Sequence, residues 1–374
     1  MKQRRLKSKG AKKAFWKLTL LIGALLIVVA GVGTYYYDQG VQKQKIAYEK
    51  QVDEARNAKD KAYDSRKAND IEQAHKLIDK LHVKDKTSLD KSMSQLTNYL
   101  SEIDKVNQIV AKAHENISEE GIKSSEEALE LLKAPYEKSD KEALAKQVNA
   151  DKQILIERQK EAERIANVQN QYANKKLIAL TFDDGPNPNT TPQLLKILSD
   201  AQVPATFFAL GKQAQACPQI IKEEADRGNE VASHTWDHKD LVTLSPDQQK
   251  QEIESANQLI NKITGKNVTL FRPPYGSYNK SVLSQTNLSA VNWTVDTNDW
   301  RYRTSAPVVQ NVSTYAHDGA IILMHDIHQW SVDAVPQIIK NLKAQGYTFV
   351  TVSTLLTVQD GGATVSYTHL TLPT

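Results

Sequence analysis

Beyond Lys176 the sequence takes up a rhythm that few folds accept. Short apolar runs at 177–181, 205–210, 230–233, 269–271, 290–295, 320–324 and 348–352 have the length and residue types of buried strands. Amphipathic helical stretches lie between them, among them 191–201, 218–227, 246–263 and 332–345. Repeated strand-then-helix order predicts parallel strands, and seven of them over about 180 residues favour a shortened or distorted (β/α) barrel over an open sheet. Such folds gather their reactive groups at the C-terminal ends of the strands. The residues that terminate each run are therefore the candidates for chemistry.

The first run stops at Asp183-Asp184, and Gly185-Pro186 then forbids the strand from continuing. Adjacent residues of an extended chain point to opposite sides, so the two carboxylates cannot share one task unless the backbone turns between them. One suits a metal and the other a proton; a simple Asp-Gly turn with two solvated carboxylates is the alternative. After the third run come His234 and His238. Four residues apart on a helical turn, both imidazoles reach one metal. Thr235 stands where an HExxH metalloprotease has its Glu, so the base must come from elsewhere, and Asp183 or Asp184 can supply both it and the third ligand. Two neutral histidines, one carboxylate and a water make an open divalent site, with zinc the expected metal.

The fourth run ends in Phe271-Arg272-Pro273-Pro274-Tyr275-Gly276. The prolines stiffen this turn, Gly276 permits close approach, and the Tyr275 N–H is a candidate donor to a developing oxyanion. Arg272 suits a buried carboxylate that must stay ionised and aimed. The fifth run leads into Asp296-Thr297-Asn298-Asp299-Trp300 and the sixth into Leu323-Met324-His325-Asp326. A histidine leaving an apolar strand needs a partner, and a nearby Asp raises its pKa toward that of a proton donor near neutral pH. Trp300 and Leu323 are expected to wall a small apolar pocket. His317, His328 and His369 have no comparable setting, and the lone Cys217 is read as an ordinary thiol.

Taken in order, 181–186, 234–238, 272–276, 296–300 and 323–326 resemble the five motifs of the polysaccharide deacetylase family, carbohydrate esterase family 4. The resemblance covers 176–358, about half of the chain. It implies a distorted (β/α) barrel and metal-dependent removal of N-acetyl, sometimes O-acetyl, groups from polysaccharides. By motif position it implies Asp183 as base, Asp184, His234 and His238 as metal ligands, and His325 as acid. Arg272 would orient Asp183, and the Tyr275 amide would serve the oxyanion. Asp299 is the first choice for tuning His325, with Asp296 the alternative, because spacing does not decide between them. Asp183 would then deprotonate a water for attack on the acetamide carbonyl, and His325 would protonate the leaving amine.

The rest of the chain has another character. The net charge is +4, yet the first seventeen residues carry eight Lys or Arg and no acid, which leaves −4 for the remainder. That removes the main argument for a nucleic-acid partner. From Leu18 to Gly33 no charge occurs, and Phe15-Trp16 and Tyr35-Tyr36-Tyr37 flank the run, so 18–37 is predicted to span a bilayer with the basic tail 1–17 in the cytoplasm. A cleaved signal peptide, with Ala30, Gly31 and Gly33 near its processing site, is the rival and would make the protein secreted. Residues 40–172 read as an extracellular helical spacer, small bundle or coiled coil. Two stripes are visible, one at Leu89, Met93, Leu96, Leu100, Ile103 and Val110, the other at Ile71, Ala74, Ile78 and Leu81. Ser124 with Glu127 and Ser139 with Glu142 look like capping boxes. Residues 42–69 carry few large apolar side chains and read as a solitary or partly disordered helix, and His75, His82 and His114 as surface residues. Residues 359–374 fit no motif and read as a disordered or non-native tail.

An anchored, extracellular deacetylase at a bacterial cell membrane points to the polymer nearest that membrane. N-acetylglucosamine of peptidoglycan is the expected substrate, with chitin-like or poly-N-acetylglucosamine polymers the enzymatic alternative and a non-catalytic glycan-binding wall protein the other class. No protein partner of the helical region is identifiable.

Overall fold

The computed structural model describes residues 3–360, with side chains from 15 to 359. The chain divides into two compact units, 1–157 and 158–374.

The first unit is helical: α1 (Gln3–Ser65), α2 (Ala68–Ile78), α3 (Val83–Glu115), α4 (Glu119–Leu129) and the start of α5 (Lys138–Tyr172). Among the described residues, α1 is the one helix long and apolar enough to cross a membrane, and Phe15, Trp16, Leu21 and Ile27 on it are exposed. Its later part is neither solitary nor disordered as expected. Val52, Ala55 and Ala62 are buried with Ala74, Ile78, Leu89, Met93 and Leu96 in one core, where alanines let helices approach closely enough that few large side chains are needed. A second core joins Ile103, Val106 and Val110 of α3 to Ile122, Leu129, Leu144 and Val148.

Both predicted capping boxes are displaced. Ser124 and Ser139 lie inside α4 and α5, while Ser118 caps α4 by accepting the Gly121 N–H at 3.1 Å. Ahead of α5 the Glu137 carboxylate accepts the Ala134 N–H at 2.8 Å. The sequence rule allows several registers, and the real one starts where the chain turns after Asn116. The three histidines are exposed, but His114 bonds the buried Asp151 at 2.8 Å and His82 stacks on Tyr48 with centroids 4.0 Å apart. Of the predicted tail, residues 359 and 360 close the last helix, and 361–374, with His369, lie outside the described residues.

In the second unit the elements are β1 (Lys176–Asp183), α6 (Thr191–Ala201), β2 (Thr206–Ala209), α7 (Gly211–Ala216), α8 (Pro218–Asp226), β3 (Glu230–Ser233), α9 (Pro246–Thr264), β4 (Leu270–Phe271), α10 (Lys280–Leu283), β5 (Ser289–Ala290), β6 (Val295–Asp296), α11 (Ser305–Tyr315), β7 (Ala320–His325), α12 (Gln329–Ala344), β8 (Tyr347–Phe349) and α13 (Val352–Asp360). The strands are all parallel, in the order β5-β4-β3-β2-β1-β7-β6, with β8 on β1. Residues 290–295, expected as one strand, form parts of two. Val291 donates to Phe271 of β4 at 2.9 Å and Thr294 donates to Ile321 of β7 at 3.0 Å, so this stretch bridges the two edges and curls the sheet into a half-barrel. β7 runs along one edge of β1, and the other is shared by β8 at residues 176–178 and β2 at 181–183, which is where the barrel is distorted.

The alternation of β1 decides which of its side chains face the helices and which the inside of the half-barrel. Ile178, Leu180 and Phe182 join the core beneath the helices, with Leu194, Leu195 and Phe207, while Leu177 and Ala179 join an inner cluster with Phe208 and Ile321. By the two-residue period Thr181 and Asp183 belong with that inner set. The helices that cover the sheet are stopped locally: Ser245 and Gln248 form a capping box at the start of α9, and Gly265 ends it at φ 68°.

Candidate active site

Five strand ends converge. Asp183 closes β1 and stands in register with His325 of β7, while His234 follows β3, Arg272 follows β4 and Asp296 closes β6. Arg272 is fully buried, an arrangement that demands partners for each of its donors. Its Nη1 donates to Asp183 Oδ1 at 2.7 Å and Thr181 Oγ1 at 2.8 Å, its Nε to the Val291 carbonyl at 3.1 Å and its Nη2 to the Asn292 carbonyl at 3.3 Å. The Phe208 ring lies 4.0 Å beneath the guanidinium carbon. Asp183 is thus held by one oxygen. Burial pushes its carboxyl above the usual range, and the Arg272 charge opposes that push.

Asp184 would point away from Asp183 if the strand continued, but it turns to φ 74° instead. That left-handed backbone brings its Oδ1 to 3.5 Å from Nε2 of both His234 and His238. All three ligand atoms lie within 4.8 Å of one another. His234 Nδ1 donates to the Arg272 carbonyl at 2.7 Å, which leaves its Nε2 lone pair for the cluster, and burial holds this imidazole neutral by lowering it to about 3. The buried Asp184 Oδ1 has no hydrogen-bond partner among the described residues. An orphaned carboxylate oxygen facing two imidazole nitrogens fits a divalent cation, and the donor set is the kind that binds zinc with positions left open. The two histidines do not share a helical turn as the spacing suggested. They sit on an irregular loop in which Thr235 and His238 both have positive φ, 69° and 55°.

Across the cavity His325 Nδ1 donates to Asp299 Oδ1 at 2.8 Å, and Asp299 Oδ2 accepts the His325 backbone N–H at 2.7 Å. Burial alone disfavours the imidazolium, but the Asp299 hydrogen bond and charge more than reverse this and raise it to about 9. Asp296 is not the partner; its carboxylate accepts the Asn298 N–H at 2.7 Å. Two residues missed in the sequence hold Asp299 in place, Ser331 by donating to Oδ2 at 2.6 Å and Trp330 by donating to the Asp299 carbonyl at 2.7 Å. They lie on the first turn of α12, far from Asp299 in sequence, and no motif spacing marks them.

The cavity enclosed by these groups has a volume of about 440 Å³ and is lined by Asp183, Asp184, His234, His238, His325 and Asp296, with Tyr275, Trp293, Trp300 and Leu323 as walls. Trp293, on the bridging stretch between β5 and β6, also escaped sequence reading. Tyr275 and Trp300 are exposed, and the Tyr275 ring stands edge-on to His238 at 4.7 Å. At φ 61° the Tyr275 N–H donates to no backbone carbonyl among the described residues. His328 stacks on Trp330, the His317 Nδ1 bonds the adjacent Asp318 carbonyl, and Cys217 packs against the core.

A family model described as polysaccharide deacetylase matches residues 170–292. The chain is 45% identical over 182 residues to the peptidoglycan-N-acetylmuramic acid deacetylase PdaC of Bacillus subtilis, covering 49% of this chain and 39% of that one. It is 41% identical over 192 residues to the peptidoglycan-N-acetylglucosamine deacetylase PgdA of Listeria monocytogenes, covering 51% of this chain and 41% of that one. With a peptidoglycan-N-acetylglucosamine deacetylase of Bacillus cereus it shares 36% identity over 189 residues, 49% of this chain and 69% of that one. The match thus spans about two fifths of the length of the first two relatives and more than two thirds of the third. With its half-barrel sheet and the five motif segments at their strand ends, the chain belongs to the polysaccharide deacetylase family.

Proposed function

We propose that the chain hydrolyses the N-acetyl group of an amino sugar in cell-wall glycan, N-acetylglucosamine of peptidoglycan being the expected substrate. The observation that carries this reading is the convergence on one cavity of a fixed carboxylate, an Asp-His-His cluster and an imidazole raised to about 9. Asp184, His234 and His238 would hold a divalent metal, zinc by donor type, which when bound supplies Lewis-acid charge and acidifies water. Asp183 accepts the proton of the attacking water through the oxygen that Arg272 leaves free, and its raised pKa strengthens it as a base. The Tyr275 N–H faces the oxyanion that develops as the acetamide carbonyl is attacked. His325, protonated at neutral pH, gives its proton to the leaving nitrogen, so that a free amine and acetate result. Trp300, Leu323 and Trp293 form the walls against which the acetyl methyl and sugar ring pack.

Further parts of the reading concern the whole chain. The charge-free stretch of α1 serves as a single-pass anchor with the basic tail in the cytoplasm, residues 40–172 act as an extracellular spacer, and 176–358 carry the chemistry. The test is acetate release by the zinc-loaded full chain in detergent from peptidoglycan and from chito-oligomers, with mass spectrometry of the digested wall to locate the free amine. Amine on N-acetylglucosamine supports the reading. Amine on the muramic acid residue moves the activity to the other wall sugar, release from chito-oligomers alone moves it to another polymer, and tight glycan binding without acetate would identify a non-catalytic wall protein.

A further inference from the structure

Among the buried acids that the mechanism does not use, Asp326 stands nearest to it. This residue follows His325 at the end of β7 and is fully buried. Its Oδ2 accepts the Thr191 hydroxyl at the start of α6, and the Thr191 oxygen in turn accepts the Asn187 N–H at 2.8 Å. The carboxyl lies flat against Gly185: a Cβ added there would stand 2.6 Å from Asp326 Cγ and nearer still to both oxygens. Asp326 therefore occupies the side-chain space of the residue that follows Asp184.

Asp184 needs such a support. A non-glycine residue at φ 74° is strained and persists where its surroundings over-determine it. On one side the Gly185 carbonyl accepts the Leu210 N–H at 3.1 Å; on the other, Asp326 closes the turn. We infer that Asp326 is a positioning residue: seated against Gly185 and hydrogen-bonded to Thr191, it fixes the turn that aims Asp184 at His234 and His238. This rests on the reading of Asp184 as a metal ligand. The role is one of shape and an accepted hydrogen bond rather than charge. Burial pushes the Asp326 carboxyl up to about 7, the Asp184 charge adds to that push, and the Thr191 hydroxyl and His325 oppose it. Burial pushes the Glu224 carboxyl well up, and the Asp326 charge adds to that push.

The test uses the full chain in detergent, stripped of metal by chelation. Zn2+ affinity is measured by competition with a chromophoric chelator, the Co2+ absorption spectrum reports ligand geometry, and kcat and KM are read on the loaded protein. Asp326→Ala is expected to weaken Zn2+ binding about 10- to 100-fold, the range for losing a group that orients a ligand, and to lower kcat with circular dichroism unchanged. Asp326→Asn keeps the shape and an acceptor and is expected to stay within about threefold of the parent. Thr191→Val, which removes the hydrogen bond to Asp326 together with the acceptor of the Asn187 N–H and leaves Asp326 itself in place, should weaken Zn2+ and carries the test if the alanine variant does not fold. Parental Zn2+ affinity and Co2+ spectrum in Asp326→Ala, or in Thr191→Val where that variant stands in, overturns the inference. So does Asp326→Asn as impaired as Asp326→Ala. A parent that binds Zn2+ but releases no acetate rejects the proposed reaction and leaves the affinity comparison valid; a parent that binds no Zn2+ rejects both.

Discussion

Replacing Asp299 by Asn isolates the contact that keeps His325 charged. In the parent the imidazolium is held at about 9 against the burial that would otherwise lower it. Without the carboxylate, burial is opposed only by the charges of Asp183 and Asp184, and the group falls from about 9 to near its ordinary 6.5. At about 1.36 kcal/mol per unit this is about 3 kcal/mol of differential stabilisation of the charged form. At pH 8 the protonated fraction drops from about nine tenths to about three hundredths, so activity should fall about 30-fold from protonation alone. The assay is kcat/KM for acetate release between pH 5 and 10. The basic limb should lie near 9 in the parent and near or below 6.5 in the variant; a bound cation lowers both limbs but not their separation. The same pair should appear in stability. Because the folded pKa is raised, its contribution is complete below about 6.5 and is lost as the pH rises through about 9, so Asp299→Asn should lower Tm at pH 6 more than at pH 10. A variant whose basic limb stays at the parental pH would refute the assignment of His325 as the acid tuned by Asp299.

Asp183→Asn should lower kcat about 10²- to 10⁴-fold while leaving Zn2+ content by mass spectrometry unchanged, since the proposed base is lost and the proposed ligands are not. Arg272→Met strands Asp183 as a buried, unpaired carboxylate and should destabilise the fold by about 3–5 kcal/mol in urea titration; a neutral result would show that the pair contributes nothing to the barrel. Met93→Ala in the fully buried helical core should cost about 2–5 kcal/mol in the unfolding of residues 1–157 and leave kcat unaltered.

What was legible in the sequence was whatever the chain carries locally. The strand ends at Asp183, Ser233, Phe271 and His325 were visible because apolar runs stop there against polar residues, and parallel order follows from the alternation with helices. The half-barrel was legible too, but the division of 290–295 between β4 and β7 was not, because pairing with two edges leaves no mark on a run of apolar residues. That Arg272 pairs with a buried carboxylate was anticipated from its chemistry, and Asp183 as that carboxylate from the family resemblance. The loop that carries His234 and His238 was not, since spacing of four is shared by a helical turn and by a loop with positive φ. Ser331, Trp330 and Trp293 reach the site through tertiary packing alone. In the helical unit the small residues Ala55, Ala62 and Ala74 defeated a reading that looked for large apolar stripes.

The most direct test of a metal centre working with Asp183 pairs metal content with turnover on one preparation. The full chain is stripped by chelation and titrated with Zn2+ while acetate release from peptidoglycan is followed, in the parent and in His238→Ala. Expected is activity that rises with Zn2+ to one equivalent in the parent, with neither tight Zn2+ binding nor acetate release in His238→Ala. Full activity in the stripped parent, or in His238→Ala without bound metal, would contradict it.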